Sequence, residues 1–225
     1  MPTSGYWQIS KLVEIIVALN PASVLDIGVG FGKYGFLARE YLELWDGQSC
    51  YSRDTWQHRI DGIEVYASYL TPVHAYVYDH LYNGKAQDIL PNLDVSYELV
   101  LLIDVFEHLD RKEGAQLLEV LLSQARSVLV CLPSRFIAQN AAFGNPYEAH
   151  RAHWSRQDLR VMGDCTFISN RRSTICLYGV EARARWRRHQ RSQASSRLCY
   201  VLKRLCSPLR VVRSGATTLG NERNR

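Results

Sequence analysis

The sequence of 225 residues lacks the features of several protein classes. No apolar run approaches the roughly 18–20 residues that cross a bilayer, and the N-terminal residues lack the basic-then-apolar order of a signal peptide. None of the six cysteines forms a C-x-x-C pair, and no group of His and Cys has zinc spacing. We therefore expect a soluble, cytoplasmic protein with reduced cysteines and no bound metal.

Acidic residues are scarce at the end of the chain. Residues 181–225 hold 12 Lys and Arg against two acids, a net charge of +10, whereas residues 1–180 hold 15 against 20 and carry −5. This asymmetry predicts a domain over 1–180 and a basic tail over 181–225 that is partly helical or disordered.

Apolar residues in the tail recur at helical spacing. They would share one face of a helix: Leu198, Val201, Leu202 and Leu205. A basic amphipathic helix suits peripheral contact with an anionic membrane surface, and its arginines could instead meet nucleic-acid phosphates. A solvated tail that does neither is the third interpretation. No nucleic-acid motif supports the second, so nucleic acid is the least favoured partner.

Five apolar strands alternate with helices through the domain, which predicts a parallel, doubly wound sheet. They read SVLDI, RIDGIEVY, Leu81–Asn83, YELVLLIDV and SVLVCL. Two further runs, CTFIS and STICLYGV, flank the turn NRR and predict a terminal antiparallel hairpin. The expected fold is α/β, a Rossmann-like sheet of seven strands with helices on both faces.

Two finer predictions concern the connections. The segment ASYLTPVHAYVYDH is expected to be irregular because Pro72 interrupts any helix near its start. The helix RKEGAQLLEVLLSQA is expected to turn Leu117, Val120 and Leu121 inward.

Glycine alternates with other residues immediately after the first strand, in VLDIGVGFGKYG. A strand, a glycine turn and a helix start form a site for a polar or anionic ligand. The dinucleotide pattern G-x-G-x-x-G would need glycine where Lys33 stands, so it fails. The order Asp26-x-Gly28-x-Gly30-x-Gly32 resembles the first motif of the class I S-adenosylmethionine-dependent methyltransferases.

The resemblance implies roles for these four residues. Asp26 would hold the methionine amino end of S-adenosylmethionine, directly or through water. Gly28 and Gly30 would let the backbone pass against the cofactor, and Gly32 would open the first helix after the strand. An ordinary strand-to-helix turn is the alternative, although three spaced glycines cost backbone entropy unless they are used.

Two further motifs lie at the ends of strands two and three. Glu64 ends IDGIEVY, and by resemblance its carboxylate accepts hydrogen bonds from the cofactor ribose. In YNGKAQDIL, Ala86 matches the motif that contacts the adenine, but Lys85 stands where the family has an acid. Lys85 cannot accept a hydrogen bond from the adenine amine, and Asp88 is the candidate substitute.

The fourth motif follows strand four. The segment DVFEHL resembles the D-V-[LIF]-E-H-L signature of small-molecule methyltransferases, which implies that Asp104 and Val105 border the methionine part of the cofactor. His108 would then lie near the entrance to the acceptor site. The pair Glu107-His108 could instead serve only to satisfy backbone groups at a helix start.

A long segment between strand five and the last helix carries most of the remaining histidines. Its run GNPYEAHRAHWS resembles a subgroup of uncharacterised methyltransferases with G-N-P-x-E-x-H-x-x-x-W, a resemblance that covers roughly residues 5–180. Methyl transfer to a neutral nucleophile requires loss of a proton, which histidine can accept. His150 is the first candidate for a base or acceptor-binding group, then His108, then His153; each could instead only fix the loop.

The sequence therefore predicts an S-adenosylmethionine-dependent methyltransferase acting on an unidentified acceptor that is expected to be a small molecule. A nicotinamide-dependent oxidoreductase is an alternative, against which Lys33 and the terminal hairpin count. A non-catalytic S-adenosylmethionine-binding adaptor is the other alternative, and Lys85 gives it weight.

Overall fold

The centre of the protein is a seven-stranded sheet. The structure is a computed structural model that describes residues 4–45 and 52–206, with side chains described through residue 196. The strands are β1 (Ser23–Ile27), β2 (Arg59–Glu64), β3 (Leu81–Asn83), β4 (Leu99–Ile103), β5 (Val128–Pro133), β6 (Cys165–Ile168) and β7 (Ser173–Tyr178). Their order is β3-β2-β1-β4-β5-β7-β6.

The first five strands pair in parallel, and β7 runs antiparallel to both β5 and β6. The predicted seven-stranded doubly wound sheet with a terminal hairpin is therefore confirmed. Because β1 pairs with β2 on one side and β4 on the other, the chain changes direction across the sheet at β1, and ligands of open α/β sheets bind at such a point.

Helices cover both faces of the sheet. The α-helices within the described residues are α1 (Ile9–Leu19), α2 (Lys33–Arg39), α3 (Pro72–Val77), α4 (Ala86–Ile89), α5 (Arg111–Gln124), α6 (Arg156–Met162) and α7 (Val180–Cys206). Residues of α1, α2, α3 and the start of α7 share one buried apolar cluster, and residues of α4, α5 and α6 share the other.

The sequence of strand β4 is apolar at successive positions because both faces of the strand are buried. Leu99 and Leu101 belong to the first cluster, whereas Val100 and Leu102 belong to the second. All four side chains are at most 1% exposed. A strand with helices on both faces buries every residue, so it reads as one continuous apolar run.

Two connections differ from the predictions. The segment predicted to be irregular contains α3, which begins at Pro72. Proline suits the first position of a helix because the missing N–H has no intrahelical partner there and its fixed φ is already helical. In α5, Leu118 is buried where Val120 is only partly buried, since the buried face follows the 3.6-residue period.

Helix α7 runs through the predicted domain boundary at residue 180. The first compact unit of the chain is Met1–His189, in which Trp186 is 1% exposed and an Arg185 Nη1 donates to the Leu19 carbonyl at 2.7 Å. The charge pattern alone could not show that these first basic residues accompany a buried aromatic side chain. The boundary at 180 stays a prediction.

The second compact unit is Gln190–Arg225, which is helical as far as Cys206. The apolar face predicted from Leu198 to Leu205 lies outside the described side chains. Among residues 4–45 and 52–206, no helix combines the length and the apolar character needed to cross a bilayer. Peripheral membrane contact and a cytoplasmic location stay predictions.

Gly35 in α2 provides a test of the packing behind β1. A Cβ at this position would overlap the ring of Tyr78. We expect Gly35→Ala to lower the free energy of unfolding by roughly 1–3 kcal/mol, because a buried ring must move. Gly163→Ala is the matched control: its φ of 170° is open to any residue, and the nearest atom is the flexible Leu122 Cδ1 at 3.1 Å. Equal losses in urea unfolding of the two variants would contradict this packing.

Candidate active site

Two neighbouring cavities lie at the carboxyl ends of the central strands. The first cavity has a volume of about 570 Å³ and is lined by the ends of β1, β2 and β3 and by the segment 145–149. The second cavity has a volume of about 860 Å³ and is lined by residues of the N-terminal segment, of α2 and of the segment after β5. Five residues line both cavities: Gly28, Gly30, Asp104, His108 and Glu148.

The glycine loop after β1 forms part of this shared wall. Gly28, Gly30 and Gly32 have φ angles of 76°, 54° and 85°, in the left-handed region that favours glycine. A Cβ on Gly28 would lie 2.5 Å from the Val105 Cγ2 atom, so the backbone approaches the loop after β4 closely. Gly32 is the N-cap of α2, as predicted.

His74, which the sequence analysis did not identify, forms a hydrogen bond with the glycine loop. It is fully buried, and its Nε2 lies 2.9 Å from the Gly30 carbonyl oxygen. Because a carbonyl only accepts, Nε2 carries the proton, and Nδ1 accepts from the Thr71 N–H at 3.1 Å. No sequence signal pointed to this residue, because the segment around Pro72 was not expected to form a helix.

Asp26 lies behind the loop instead of in it. Its Oδ2 accepts a 2.6 Å hydrogen bond from the Tyr78 hydroxyl, and the side chain is 2% exposed. Burial raises the pKa of Asp26 to about 6, and the nearby Glu64 adds to the increase. Neither of the two cavities formed by the described residues is lined by Asp26. The geometry therefore gives Asp26 a part in supporting the loop, and the predicted contact with a methionine amino group stays a prediction.

Glu64, at the end of β2, lines the first cavity. Its Oε2 accepts from the Gly30 N–H and its Oε1 from the Tyr66 N–H, each at 2.9 Å. Burial raises the pKa of Glu64, and these backbone donors oppose that increase. Each carboxylate oxygen has a further lone pair, so the group can accept two more hydrogen bonds from a ligand in the cavity.

The segment after β3 departs from the prediction in one residue. Lys85, Ala86 and Gln87 line the first cavity. Asp88, the predicted substitute for the missing acid, is exposed and lies outside the lining. Gln87 was missed, although its amide can both accept from and donate to an adenine edge. The family motif has an acid where Lys85 stands, so the sequence pointed to a neighbouring acid and not to an amide.

Asp104 follows the end of β4 and lines both cavities. It has a φ of 52°, a conformation that aspartate tolerates better than most residues. Its Oδ2 accepts from the Gln8 Nε2 at 2.7 Å, which ties the N-terminal segment to the site. Burial raises the pKa of Asp104, whereas Ser4, Gln8 and the Lys33 charge lower it. Val105 lines the first cavity, as its predicted place requires.

The segment that carries GNPYEAH folds over both cavities. Asn145 is buried and its side chain accepts from the Tyr147 N–H at 2.9 Å, while Tyr69 donates to the Glu148 Oε1 at 3.1 Å. Segment residues 145–149 line the first cavity, and Glu148 and His150 line the second. The segment therefore spans the two cavities.

The structure brings together the two histidines that were predicted first. The ring centroids of His108 and His150 are 4.9 Å apart. Burial lowers the pKa of His108 to about 4, so this ring is neutral at neutral pH. His153 is exposed beside Phe136 and lines neither cavity of the described part of the chain. Trp154 is a core residue packed on Phe106, with ring centroids 4.5 Å apart.

Two aromatic residues, Tyr6 and Trp7, lie just before α1. Trp7 lines this cavity, and its Nε1 donates to the Ser173 hydroxyl at 3.1 Å. Tyr6 is largely exposed and packs edge-on against Trp7. Trp7 therefore lines the second cavity, whereas Glu64 lines the first.

Comparison with solved structures identifies the class of fold. An O-methyltransferase family protein from Burkholderia thailandensis shares 13% identity with a TM-score of 0.50, over 75% of this chain and 55% of that chain. The methyltransferase domain of bacterial CtHen1 shares 16% identity with a TM-score of 0.51, over 77% and 98%. The N-terminal domain of EvdMO1, solved with SAH and D-fucose, shares 11% with a TM-score of 0.51, over 78% and 83%.

These similarities show the fold: the chain has the fold of class I S-adenosylmethionine-dependent methyltransferases. The chain spans little more than half the length of the Burkholderia protein. Neither a family model nor a curated protein sequence matches it. The resemblance drawn from the motifs is confirmed at the level of the fold.

The raised pKa of Asp26 gives a pH-dependent stability. Because the folded pKa of about 6 exceeds the ordinary 3.8, protonation favours the folded state, and this contribution is lost as the pH rises from about 4 through 6. The shift corresponds to on the order of 3 kcal/mol. We expect the unfolding free energy of Asp26→Asn minus that of wild type to rise between pH 4 and 7. Urea titrations across this range measure it, and a difference independent of pH would contradict the burial of an ionisable Asp26.

Proposed function

We propose that the protein is a methyltransferase that uses S-adenosylmethionine to methylate a small-molecule acceptor. The observation that carries this proposal is the shared wall between the two cavities, at Gly28, Gly30, Asp104, His108 and Glu148. A donor in the first cavity and an acceptor in the second would meet along this wall. Both volumes lie within the roughly 300–1,000 Å³ of small-molecule sites.

The residues of the first cavity fit the cofactor. Glu64 retains acceptor capacity for two ribose hydroxyls, and Gly28 leaves the backbone accessible where a side chain would strike Val105. Ala86 and Gln87 line the same cavity, and the Gln87 amide would offer a polar partner to an adenine edge. When bound, S-adenosylmethionine supplies a methyl group on a sulfonium, open to in-line displacement by a nucleophile.

The chain's own contribution to the reaction is positioning and a dry environment. Gln8 fixes the Asp104 carboxylate at the junction of the cavities. The segment 145–149 lines the first cavity, where a bound ligand would displace water. His150 is the candidate to accept a proton from the acceptor, because the low pKa of about 4 makes His108 a weak base at neutral pH.

The lining of the second cavity indicates the class of acceptor. Basic side chains and aromatic rings contribute to this lining: Lys33, Arg135, Arg171, Arg172, Phe31, Phe136 and Phe143. Arginines bind carboxylates and phosphates, and aromatic faces pack against planar groups. An acceptor that carries an anionic group and a planar or apolar body suits this lining.

Neither alternative function gains support from the fold. The turn after β1 has Lys33 at the first position of α2, where a dinucleotide loop needs glycine. The adaptor hypothesis rested on Lys85, and Gln87 beside it offers the polar partner that Lys85 does not.

Replacement of Glu64 tests the cofactor site. We expect Glu64→Gln to weaken S-adenosylhomocysteine binding at least tenfold, because the amide loses one acceptor and the charge. Isothermal titration calorimetry measures the affinity. Glu98→Gln is the matched control, an acid before β4 that pairs with Arg126 at 3.0 Å and lies in neither cavity lining.

The same measurement decides the central proposal. Ligand at 100 times its dissociation constant should stabilise the wild-type protein by about 2.7 kcal/mol. A wild-type protein that neither binds S-adenosylhomocysteine nor gains thermal stability from S-adenosylmethionine would overturn the proposal.

A second pair of variants tests adenine recognition after β3. We expect Gln87→Ala to weaken S-adenosylhomocysteine binding about tenfold, since one side-chain hydrogen bond to an uncharged ligand contributes about 1–1.5 kcal/mol. Asp88→Ala should leave the affinity unchanged because Asp88 lies outside the cavity lining. The reverse result would assign adenine recognition to Asp88, as the sequence first suggested.

A further inference from the structure

Three potential metal ligands meet at the second cavity. Glu107, His108 and His150 each offer one ligand atom, and these atoms lie within 4.8 Å of one another. Glu107 and His108 belong to the short helical turn Phe106–His108 after β4, whereas His150 comes from a segment more than 40 residues later. All three residues line the second cavity.

Glu107 is a buried carboxylate with one oxygen that has no hydrogen-bond partner among the described residues. Its side chain is 5% exposed, and the oxygen without a partner is Oε2. An unpaired buried carboxylate is costly unless a cation or a hydrogen-bond donor compensates it.

Both histidines have their ring orientation set by backbone carbonyl groups. The His108 Nδ1 lies 3.2 Å from the Ala149 oxygen, and the His150 Nδ1 lies 2.5 Å from the Ile137 oxygen. Because a carbonyl oxygen only accepts, Nδ1 carries the proton in each ring and Nε2 carries the lone pair. A backbone carbonyl bound to the distal nitrogen is the usual support of a metal-ligating histidine.

The backbone holds the two parts of the cluster together. The Arg151 N–H donates to the Glu107 carbonyl at 2.8 Å, and the His150 N–H donates to the Gln139 carbonyl at 2.9 Å. The segment that carries His150 is thereby fastened to the turn that carries Glu107 and His108. Ligands held in this way need little reorganisation on binding.

We propose that Glu107, His108 and His150 bind a divalent metal ion at the inner end of the second cavity. Two imidazoles and one carboxylate, without sulfur, suit first-row divalent ions, since imidazole binds Fe²⁺, Ni²⁺ and Zn²⁺ well and carboxylate suits Mn²⁺. Bond lengths of about 2.1 Å would place the ligand atoms about 3–3.4 Å apart, so small side-chain rotations complete the site. The remaining coordination positions face the second cavity, where water or an oxygen of the acceptor fills them. With the ion bound, the His150 Nε2 is a ligand, so His150 then helps to bind the acceptor and does not act as the base.

The sequence analysis predicted no metal, because Glu107 and His108 are far from His150 in the chain. The metal site is distinct from the proposed cofactor contacts, because Glu107 and His150 line only the second cavity and His108 alone also lines the first. A protein that binds Mn²⁺ but no S-adenosylhomocysteine would sustain this inference and overturn the proposed function, and the opposite result would do the reverse.

Electron paramagnetic resonance of added MnCl₂ tests the site on full-length, chelator-treated protein. Bound Mn²⁺ loses the six-line signal of the free aquo ion, so the signal counts unbound metal. Mn²⁺ is the suitable probe because it prefers nitrogen and oxygen ligands to the cysteine thiols of this chain. We expect about one tightly bound ion per wild-type chain.

Three variants locate the ion. His150→Ala and Glu107→Gln should each weaken Mn²⁺ binding at least tenfold, whereas His153→Ala, an exposed histidine of the same segment, should leave it unchanged. Without metal, Glu107→Gln should melt at or above the wild-type temperature, because it removes a buried unpaired carboxylate, so loss of binding cannot reflect unfolding. No binding by wild type, or equal binding by wild type and His150→Ala, would overturn the proposal.

Discussion

The hydrogen bond from the Gly30 N–H to the Glu64 carboxylate is the contact on which the site depends. It joins the loop after β1 to the end of β2, and the Gly28 N–H adds a 2.8 Å bond to the Ile63 carbonyl. His74 secures the same loop through the Gly30 carbonyl. The glycine backbone is thus held in a left-handed conformation, and Gly28 and Gly30 form part of the wall that both cavities share.

Several acids converge at this junction, and burial governs their behaviour. Asp26, Glu64, Asp104 and Glu107 all have raised pKa values, and burial is the largest cause in each case. They differ in their partners. Tyr78 compensates Asp26, backbone N–H groups compensate Glu64 and Gln8 compensates Asp104, whereas the Glu107 Oε2 has no partner in the described structure. That difference sets Glu107 apart from the other three carboxylates.

The fold was largely predictable because its signals are local. Continuous apolar runs indicated strands with both faces covered, and glycine spacing after Asp26 indicated where a ligand would meet the backbone. The structure brings Gly28, Gly30, Glu64, Ala86, Asp104 and Val105 to the first cavity, and their contacts with a cofactor stay a prediction. The prediction of an irregular segment was wrong because Pro72 begins α3 and does not interrupt a helix.

The sequence by itself determined the order of strands and helices and the glycine loop, since period and backbone preference are properties of neighbouring residues. Only the tertiary structure decided which distant side chains meet. It placed Asp26 behind the loop, put Gln87 but not Asp88 in the lining of the first cavity, hydrogen-bonded His74 to the loop, and brought His150 beside Glu107 and His108. Such contacts depend on the packing of segments far apart in the chain, and no local pattern records them.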